Sequence, residues 1–373
     1  MKKVGTLTYH RSHNYGSVLQ AYALEKVINS IDNTSCEIID YYPPNYELLY
    51  SVFVKNNSVR NVARNLYVLL KQYRQKKNRF NNFVKFQDRY NVSEKSFIEN
   101  IELLKDIDGK YDTIVCGSDQ IWCVDAPDFS MAYLMPNLQN VKKVAYAPSM
   151  GYGNFLGYSK EKEIKAALEK FDAVSVREKD GAEKIKALMG GDYNVQVVLD
   201  PTFLLPIEEY DKICEDRLIK EDYIFFYSVG FREQNATIME WVAKKTGLPV
   251  YTLATNTSSN KYKGYGIKFV ENSTPEAFLS LIKNAKIVFS SSFHGNVFSV
   301  IFRKNFYSLY TVKDGLREDD PRLNTLFESL NLPNRAVDIN NFDKIDYNQI
   351  FEYDDEKINS EIKRSKEFLL NSI

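Results

Sequence analysis

Residues 4–27 read VGTLTYHRSHNYGSVLQAYALEKV and predict a buried strand, a polar loop and a helix in succession. The run 4–8 is short and largely apolar, and polar residues follow it, a pattern typical of a buried strand. Beyond Gly16 the apolar residues recur at helical spacing as far as Val27. A strand that leads through a loop into a helix is the first part of a βαβ unit, the repeating element of parallel sheets.

The alternation of strands and helices continues along the chain in two series. In the first we predict strands at residues 4–8, 37–41, 113–116, 143–147, 173–176 and 195–199, and helices from residue 16 and at 160–170 and 180–189. In the second we predict strands at 223–229, 249–253, 286–290 and 305–310, and helices at 235–246, from 274, at 296–302, 321–330 and 354–370. These series predict an α/β fold of two Rossmann-like domains that face each other across a cleft, residues 1–205 and 206–373. We expect the last helix to pack back across the interface.

Composition excludes several classes of protein. The 373 residues include 49 basic and 49 acidic side chains, whereas a nucleic-acid-binding protein usually carries a basic excess, so we expect no nucleic-acid partner. The four cysteines form no C-x-x-C pair, which favours a reducing compartment and no cysteine-built zinc site. No apolar run approaches the roughly 18 residues of a membrane-spanning helix, and no signal-peptide pattern follows Met1. We therefore expect a soluble, cytoplasmic protein.

One segment, residues 51–90, departs from this even charge distribution. It has one acidic residue, Asp88, and ten basic ones: Lys55, Arg60, Arg64, Lys71, Arg74, Lys76, Lys77, Arg79, Lys85 and Arg89. Its apolar residues recur on one helical face: Val59, Val62, Ala63, Leu66, Leu69, Leu70 and Tyr73. Two interpretations of this basic helical insertion stay open. Its apolar face belongs to the core and the helix covers the first sheet, or residues 55–89 contact an anionic surface, such as a membrane leaflet that carries a lipid-linked acceptor.

All three histidines of the chain fall in loops that follow predicted strands, where open α/β sheets bind their ligands. His294 is the candidate for proton transfer, because imidazole is the side chain that moves protons near neutral pH. His10 and His13 are spaced like a pair of metal ligands, but no nearby cysteine, histidine or acid pair completes the set, so we expect no metal. Their loop ends at Gly16, whose missing side chain lets a ligand approach the backbone. The loop is therefore a candidate substrate loop.

The turn at residues 290–296 is a candidate anion site. It places three serines and a glycine at the start of a predicted helix, where free N–H groups and the helix dipole attract anions. Simple capping of the helix would need one serine and not three. We therefore favour a phosphate-binding turn.

Two further loops hold polar candidates. After the turn at Gly117, Ser118 or Asp119 can cap the following segment; alternatively, Asp119 accepts a hydrogen bond from a sugar whose ring stacks on Trp122. Arg177 ends a predicted strand, where its guanidinium can grip a carboxylate or phosphate or form an ordinary surface ion pair. Residue spacing alone favours capping for the first loop and does not separate the two interpretations of Arg177.

Taken together, these stretches resemble the polysaccharide pyruvyl transferase family. The pieces that carry the resemblance are residues 8–10 (TYH) with 14–22 (NYGSVLQAY), 115–122 (VCGSDQIW), 145–149 (AYAPS), 174–178 (VSVRE), 199–203 (LDPTF), 292–295 (SFHG) and 322–324 (RLN). In order, they cover most of the chain from residue 3 to about 335.

The resemblance implies a glycosyltransferase-B-like fold and an enzyme that moves a pyruvyl group from phosphoenolpyruvate to two hydroxyls of a sugar, forming a cyclic ketal. The acceptor is a sugar, oligosaccharide or lipid-linked glycan of a bacterial-type surface polysaccharide, and no metal or redox cofactor is required. Family members use an arginine at the position of Arg177 and a histidine at that of His294. Many carry a further arginine two residues before the histidine, where this chain has Ser292.

The resemblance also implies that the first domain binds the acceptor and the second the donor phosphate. The candidate catalytic residues are His294, Arg177 and Asp119. The candidate donor-binding residues are Ser290, Ser291, Ser292, Gly295, Asn296 and Arg322. The candidate acceptor-binding residues are His10, His13, Asn14, Tyr15, Gly16, Ser118, Gln120, Trp122 and Ser149. Two other functions stay open: a glycosyltransferase that uses a nucleotide sugar on the same fold, and a non-catalytic glycan-binding or assembly protein.

Overall fold

The computed structural model describes the chain except for residues 99–104, 229–230, 254–256, 311, 314–315, 318–319, 333–334, 339–341, 345 and 348–349. Within the described residues, no helix is both long enough and apolar enough to cross a membrane.

The first domain is built on a six-stranded parallel sheet. Its strands are β1 (Lys2–Leu7), β2 (Thr34–Ile38), β5 (Thr113–Cys116), β6 (Lys142–Ala145), β7 (Ala173–Val176) and β8 (Gln196–Val197). They lie in the order β2-β1-β5-β6-β7-β8. Between β2 and β5 in sequence, β3 (Tyr41–Tyr42) and β4 (Phe97–Ile98) form a separate short parallel pair.

The second domain repeats this architecture with a second six-stranded parallel sheet. Its strands are β9 (Ile224–Tyr227), β10 (Val250–Leu253), β11 (Lys268–Val270), β12 (Ile287–Ser290), β13 (Asn305–Tyr310) and β16 (Ala336–Asp338). They lie in the order β11-β10-β9-β12-β13-β16, which is the 3-2-1-4-5-6 order of a Rossmann fold. A short antiparallel pair, β14 (Val312–Lys313) and β15 (Leu316–Arg317), follows β13. The predicted fold class, α/β with two Rossmann-like domains, is confirmed.

Helices connect the strands of both sheets. The α-helices are α1 (Tyr15–Asn29), α2 (Tyr46–Tyr50), α3 (Val59–Tyr67), α4 (Tyr73–Gln87), α5 (Glu161–Leu168), α6 (Lys179–Met189), α7 (Ile207–Ile213), α8 (Glu233–Thr246), α9 (Pro275–Asn284), α10 (Phe293–Ile301), α11 (Pro321–Ser329) and α12 (Asp355–Ser372). A π-helical segment, Val68–Gln72, joins α3 to α4, and the 3₁₀ turns include Met131–Leu134, Pro201–Phe203, Thr257–Tyr265 and Phe342–Lys344.

Local signals in the sequence set where several helices begin and end. The side chain of Thr274 accepts a hydrogen bond from Ala277 N, and Pro275 occupies the first turn of α9, where its missing N–H costs nothing. Asp320 caps α11 in the same way, again ahead of a proline. Gly247 ends α8 in the left-handed conformation that glycine adopts without strain.

The two domains share an apolar interface. Tyr15, at the start of α1, stacks in parallel on Phe278 of α9 with ring centroids 4.8 Å apart, and its hydroxyl donates to Ser273 O. Helix α12 returns to the first domain, where Ser365 Oγ accepts from Leu199 N at 3.0 Å. Because both contacts are buried, they fix the two sheets relative to each other.

In each sheet the strand order reverses between two neighbouring strands, at β1 and β5 in the first domain and at β9 and β12 in the second. Ligands of open α/β sheets bind in the crevice that forms outside the carboxyl ends of the strands at such a reversal. The loops that follow β1, β5 and β12 carry most of the candidate residues, so the topology brings them to one region.

The basic segment folds differently in its two halves. In α4, Phe83 and Phe86 are fully buried, and Phe86 packs against Tyr22 of α1. In α3, the apolar residues Val59 and Leu66 are exposed to solvent. The interpretation that places the whole apolar face in the core is therefore wrong for α3, because no element of the described chain covers that face.

Candidate active site

Asp200 is the centre of a buried polar cluster between the domains. Its Oδ2 accepts from Arg177 Nη1 at 2.7 Å and lies 3.4 Å from His294 Nε2, and Ser118 Oγ is 3.3 Å away. Its Oδ1 accepts from the backbone N and the hydroxyl of Thr202. Burial by itself would raise the pKa of Asp200, but His294 and Arg177 hold this pKa well below its ordinary range. The carboxylate is therefore a fixed negative charge that lies between Arg177 and His294.

His294 reaches this cluster from the second domain. It is the second residue of α10, and its ring lies against the start of α1. A Cβ atom built on Gly16 would be 2.0 Å from His294 Nδ1, far inside van der Waals contact. Glycine at position 16 therefore makes the room in which the imidazole lies.

Arg177 provides unsatisfied hydrogen-bond donors in the same place. Its side chain is 2% exposed, and its Nε and Nη2 atoms have no hydrogen-bond partner among the described residues. Its guanidinium lies 4.2 Å from the centroid of the Phe293 ring, and that of Arg322 lies 5.6 Å from the same ring. Buried donors without partners are rare in folded proteins, and a carboxylate or phosphate is the acceptor that fits a guanidinium best.

Arg322 differs from Arg177 because two of its guanidinium nitrogens are paired with a single carboxylate. Its Nε donates to Asp320 Oδ1 at 2.8 Å, and its Nη2 donates to Oδ2 of the same carboxylate. The two arginines line one pocket together with Asp200 and Phe293. Arg364 lines the same pocket, so its wall carries three guanidinium groups.

The turn at residues 290–296 contains His294, and its serines are arranged in a way that capping does not require. Ser290 Oγ accepts from Ser292 N at 3.0 Å, and Ser291 Oγ donates to Ser228 Oγ at 3.0 Å. Ser292 occupies the N-cap of α10 without making a side-chain cap bond. Asn296 Oδ1 is buried and has no partner among the described residues. Gly295 packs against Ser290, where a Cβ would be 2.1 Å from Oγ.

The loop after β5 brings Asp119 to the start of α1. Its Oδ2 accepts from the hydroxyl of Ser17, and its Oδ1 accepts from Gln120 N at 2.8 Å. The residue has a positive φ of 70°, and its side chain is almost fully buried. Ser118, the preceding residue, donates to Ala147 O at 2.6 Å and lies next to Asp200.

Ser149 acts together with a carboxyl group that the sequence did not suggest. Its hydroxyl donates to Glu178 Oε1 at 3.0 Å, and that oxygen also accepts from Met150 N at 2.7 Å. Glu178 Oε2 is buried without a partner among the described residues, and burial raises the pKa of this carboxyl. Ser149 therefore binds the carboxyl group of Glu178, the residue that follows Arg177 in the sequence.

No group of three or more His, Cys, Asp or Glu side chains in the described part of the chain is arranged to hold a metal ion. His10 Nε2 lies 3.0 Å from Asp40 Oδ1, and Arg11 donates to the same carboxylate. His13 stacks on Phe83 at 5.3 Å, and burial, with Arg79 nearby, lowers the pKa of His13 to about 3. The two histidines therefore have separate partners and do not converge on one point.

A sequence model of the polysaccharide pyruvyl transferase family matches residues 14–311, which include Asp119, Arg177, Asp200 and His294. The chain belongs to the polysaccharide pyruvyl transferase family. It is therefore a transferase of polysaccharide biosynthesis, as the resemblance implied. No curated protein sequence matches this pyruvyl transferase at a significant level.

Solved structures of UDP-GlcNAc 2-epimerases are similar to this pyruvyl transferase in fold. The epimerase from Methanocaldococcus jannaschii has a TM-score of 0.55 and 11% identity, over 100% of this chain and 99% of that one. The Neisseria meningitidis epimerase, bound to UDP-GlcNAc, has a TM-score of 0.53 and 10% identity, over 100% and 99%. The Rickettsia bellii epimerase has a TM-score of 0.53 and 13% identity, over 100% and 96%. At these identities the likeness shows the two-domain, glycosyltransferase-B-like fold alone.

Two of the predicted acceptor contacts are wrong. Trp122 is fully buried, its indole N–H donates to Tyr133 O, and its ring packs against Phe155, so it has no free face on which a sugar could stack. Tyr15 is also fully buried in the interface with Phe278. Both are aromatic residues next to a polar loop, and the sequence does not tell a core position from a ligand platform.

Other predicted acceptor residues have structural partners in the loops that carry them. Asn14 Oδ1 accepts from Gly16 N at 2.9 Å and so caps α1. Gln120 packs against Gly151, because its side-chain nitrogen would be only 2.6 Å from a Cβ atom built on that glycine. His10 is bound to Asp40, as described above. These contacts shape the loops, and acceptor binding by their residues stays a prediction.

The sequence reasoning missed Asp200 and Glu178 as site residues. Both stand within stretches that carried the family resemblance, and both follow the carboxyl end of a strand closely. The signal that could have found Asp200 is its place immediately before Pro201, in a turn at the edge where ligands bind. Glu178 gave no local signal, because its burial depends on the loop at Ser149.

Substitution of Gly16 by Ala is expected to lower turnover by about 100-fold, because displacement of a reacting group by about 1 Å can cost that much. The new methyl carbon would be 2.0 Å from His294 Nδ1, so the imidazole ring would have to move. Gly191 is a matched control, since a Cβ there meets nothing within 4 Å. Steady-state turnover of both variants, with circular dichroism to check folding, measures the effect. Equal activity of the two variants would contradict the role of Gly16.

Proposed function

We propose that this enzyme transfers the pyruvyl group of phosphoenolpyruvate to two hydroxyls of a sugar and releases phosphate. The observation that carries the proposal is the buried guanidinium of Arg177, whose unpaired N–H groups stand beside His294 and the ionised Asp200. A donor with a carboxylate and a phosphate fits two arginines better than a neutral ligand would. The family of the chain favours the same reaction.

The reaction needs one proton on carbon and the removal of two from hydroxyls. A proton is added to the methylene carbon of the donor, and the first sugar hydroxyl attacks the carbon that bears the phosphate. The carbon–oxygen bond to phosphate then breaks, and the second hydroxyl closes the ketal. Of the two hydroxyl protons, one balances the new methyl group and the other leaves with phosphate.

In this proposal His294 carries the protons, as general acid toward the donor and base toward a hydroxyl. Asp200 keeps its carboxylate ionised 3.4 Å from Nε2, so that a negative charge faces the imidazole that transfers the protons. Arg177 and the N-terminus of α10 neutralise the anion that leaves. Asp119 orients an acceptor hydroxyl from the first domain. None of these roles requires a metal or a redox cofactor.

The acceptor in this proposal is a sugar of a surface polysaccharide or of its lipid-linked precursor. Phosphoenolpyruvate is a metabolite of the cell interior, so the proposed reaction takes place in the cytoplasm. Arg322 lines the pocket together with Arg177 and is the second guanidinium of the proposed donor site.

Binding of the donor is tested by thermal unfolding. Phosphoenolpyruvate at about 100 times its dissociation constant should stabilise the folded protein by about 2.7 kcal/mol and raise its melting temperature. Substitution of Arg177 by Lys should abolish most of this shift, because a lysine cannot replace a guanidinium that binds in a bidentate manner. UDP-GlcNAc serves as the comparison ligand. A shift with UDP-GlcNAc and none with phosphoenolpyruvate would contradict the proposed donor.

A further inference from the structure

Helix α3 presents its apolar side to water and its polar side to the protein, the reverse of an ordinary surface helix. The side-chain amide of Asn65 donates to Val54 O at 2.7 Å and its oxygen accepts from Val54 N at 3.1 Å. Asn61 donates to Lys55 O at 3.1 Å. The asparagine face therefore holds the helix to the preceding loop.

The opposite face of α3 and the turn that follows it form an exposed apolar stripe. Its members are spaced three or four residues apart and are between about half and nine-tenths exposed: Val59 at 88%, Val62 at 49%, Leu66 at 56% and Leu70 at 69%. Single exposed apolar residues are ordinary, but a continuous stripe on one helix marks a surface that binds something apolar.

Basic side chains surround the stripe. Arg60, Lys71, Arg74 and Lys77 are all exposed, and residues 51–90 carry a formal charge of +9 while the rest of the chain carries −9. An anionic surface would attract this segment and repel the remainder of the protein, so it would bind in a single orientation.

We propose that α3, with the turn 68–72 and the start of α4, docks on the surface of an anionic membrane. Apolar side chains flanked by arginine and lysine are the composition of helices that lie in the headgroup region of a bilayer. The charge complementarity selects an anionic leaflet over a neutral one, and the apolar stripe adds a contact that is too small to hold the protein once salt screens the charges.

The docking surface is directly connected to the candidate substrate loop. In α4, Arg79 donates to His13 O, and its guanidinium lies 5.9 Å from the centroid of the Tyr15 ring. Membrane contact would therefore hold the mouth of the cleft close to the lipid surface. The inference does not rest on the proposed donor, because lipid binding is measured without any substrate.

Flotation of the full-length protein with vesicles tests the inference. One set contains phosphatidylcholine alone, and the other contains phosphatidylglycerol as well. We expect the wild type to float with the anionic vesicles only and to be released at about 1 M salt, where the Debye length is about 3 Å.

Two variants separate the contributions of charge and apolar contact. The charge variant carries Arg60→Glu, Lys71→Glu, Arg74→Glu and Lys77→Glu. The apolar variant carries Val62→Ser, Leu66→Ser and Leu70→Ser. The matched control carries Lys162→Glu, Lys165→Glu, Lys170→Glu and Lys186→Glu, which are exposed positions elsewhere on the first domain.

We expect the charge variant and the apolar variant each to bind anionic vesicles at least about tenfold less than the wild type. In the charge variant the reason is that each basic residue at such a surface adds about a factor of five to binding. In the apolar variant the reason is the loss of the apolar contact with the bilayer. The control should bind like the wild type, and melting temperatures should change little because all the positions are exposed. Equal flotation of all four proteins would overturn the inference. So would an absence of vesicle binding together with a dimer that the apolar variant abolishes, since the stripe would then bind a second copy of the chain.

Discussion

Substitution of His294 by Gln is expected to lower turnover by roughly 100- to 10,000-fold, the contribution of a general acid–base group. Glutamine keeps a polar amide in the place of the imidazole, whose Nε2 lies 3.4 Å from Asp200 Oδ2 in the wild type, but it cannot carry a proton. The pocket should therefore keep its shape and its affinity for the donor. Release of phosphate from phosphoenolpyruvate in the presence of acceptor measures turnover.

Two further measurements distinguish a loss of proton transfer from a loss of folding or of donor binding. The variant should unfold near the temperature of the wild type, and phosphoenolpyruvate should still raise that temperature, because Arg177 is unchanged. Turnover within a few-fold of the wild type would remove His294 from the mechanism. Loss of the donor-induced shift would instead make it a binding residue.

Substitution of Asp200 by Asn should have the largest effect on stability, a fall of about 3 to 5 kcal/mol in the free energy of unfolding. The carboxylate is fully buried, and Arg177 would lose the partner that is 2.7 Å away. A buried cation without a counterion lowers the free energy of unfolding by more than the ion pair contributed to it. Urea unfolding, followed by circular dichroism, measures the change.

A double-mutant cycle isolates the ion pair from other effects of the substitution. Arg177→Met also breaks the pair, but it leaves the carboxylate and not the guanidinium without its partner. The double variant should lose clearly less stability than the sum of the two single variants, because it leaves no uncompensated charge. Simple additivity would mean that the two groups do not depend on each other.

The contribution of Asp200 should also depend on pH. Its pKa in the folded protein is lowered, whereas the unfolded chain has the ordinary value near about 4. The stability that the carboxylate gives is therefore complete above that value and is lost as the pH falls below it toward the folded-state pKa. The difference in stability between the wild type and Asp200→Asn should narrow as the pH is lowered below about 4. A constant difference would show that the ionised carboxylate is not its source.

The fold was predictable because its signals are local. Strands such as Thr113–Cys116, Ala173–Val176 and Asn305–Tyr310 have the bounds that the sequence predicted, because each is a short apolar run between polar turns. Strand β11 (Lys268–Val270) was missed, since its lysine and its three-residue length give no clear pattern. The predicted strand 195–199 proved to be two residues, Gln196–Val197.

Site residues were predictable where a strand ended in a polar side chain. Arg177 and His294 were proposed from such positions, and the tertiary structure places both on Asp200. Trp122 was proposed as a platform on which a sugar ring stacks, and this is wrong because its loop turns the indole into the core. The position of a residue in such a loop indicates that the residue lies near the crevice, but not in which direction its side chain points.

The sequence by itself determined the two βαβ series, their parallel sheets, the family of the chain and the basic segment, since each depends on residues that are close together along the chain. The tertiary structure decided which charges meet. Asp200 and Arg177 come from the first domain and His294 from the second, and their approach depends on the packing of α1 on α9 and α10. It also decided that the apolar face of α3 is exposed, because amphipathic spacing specifies a stripe and leaves open whether protein, water or another surface covers it.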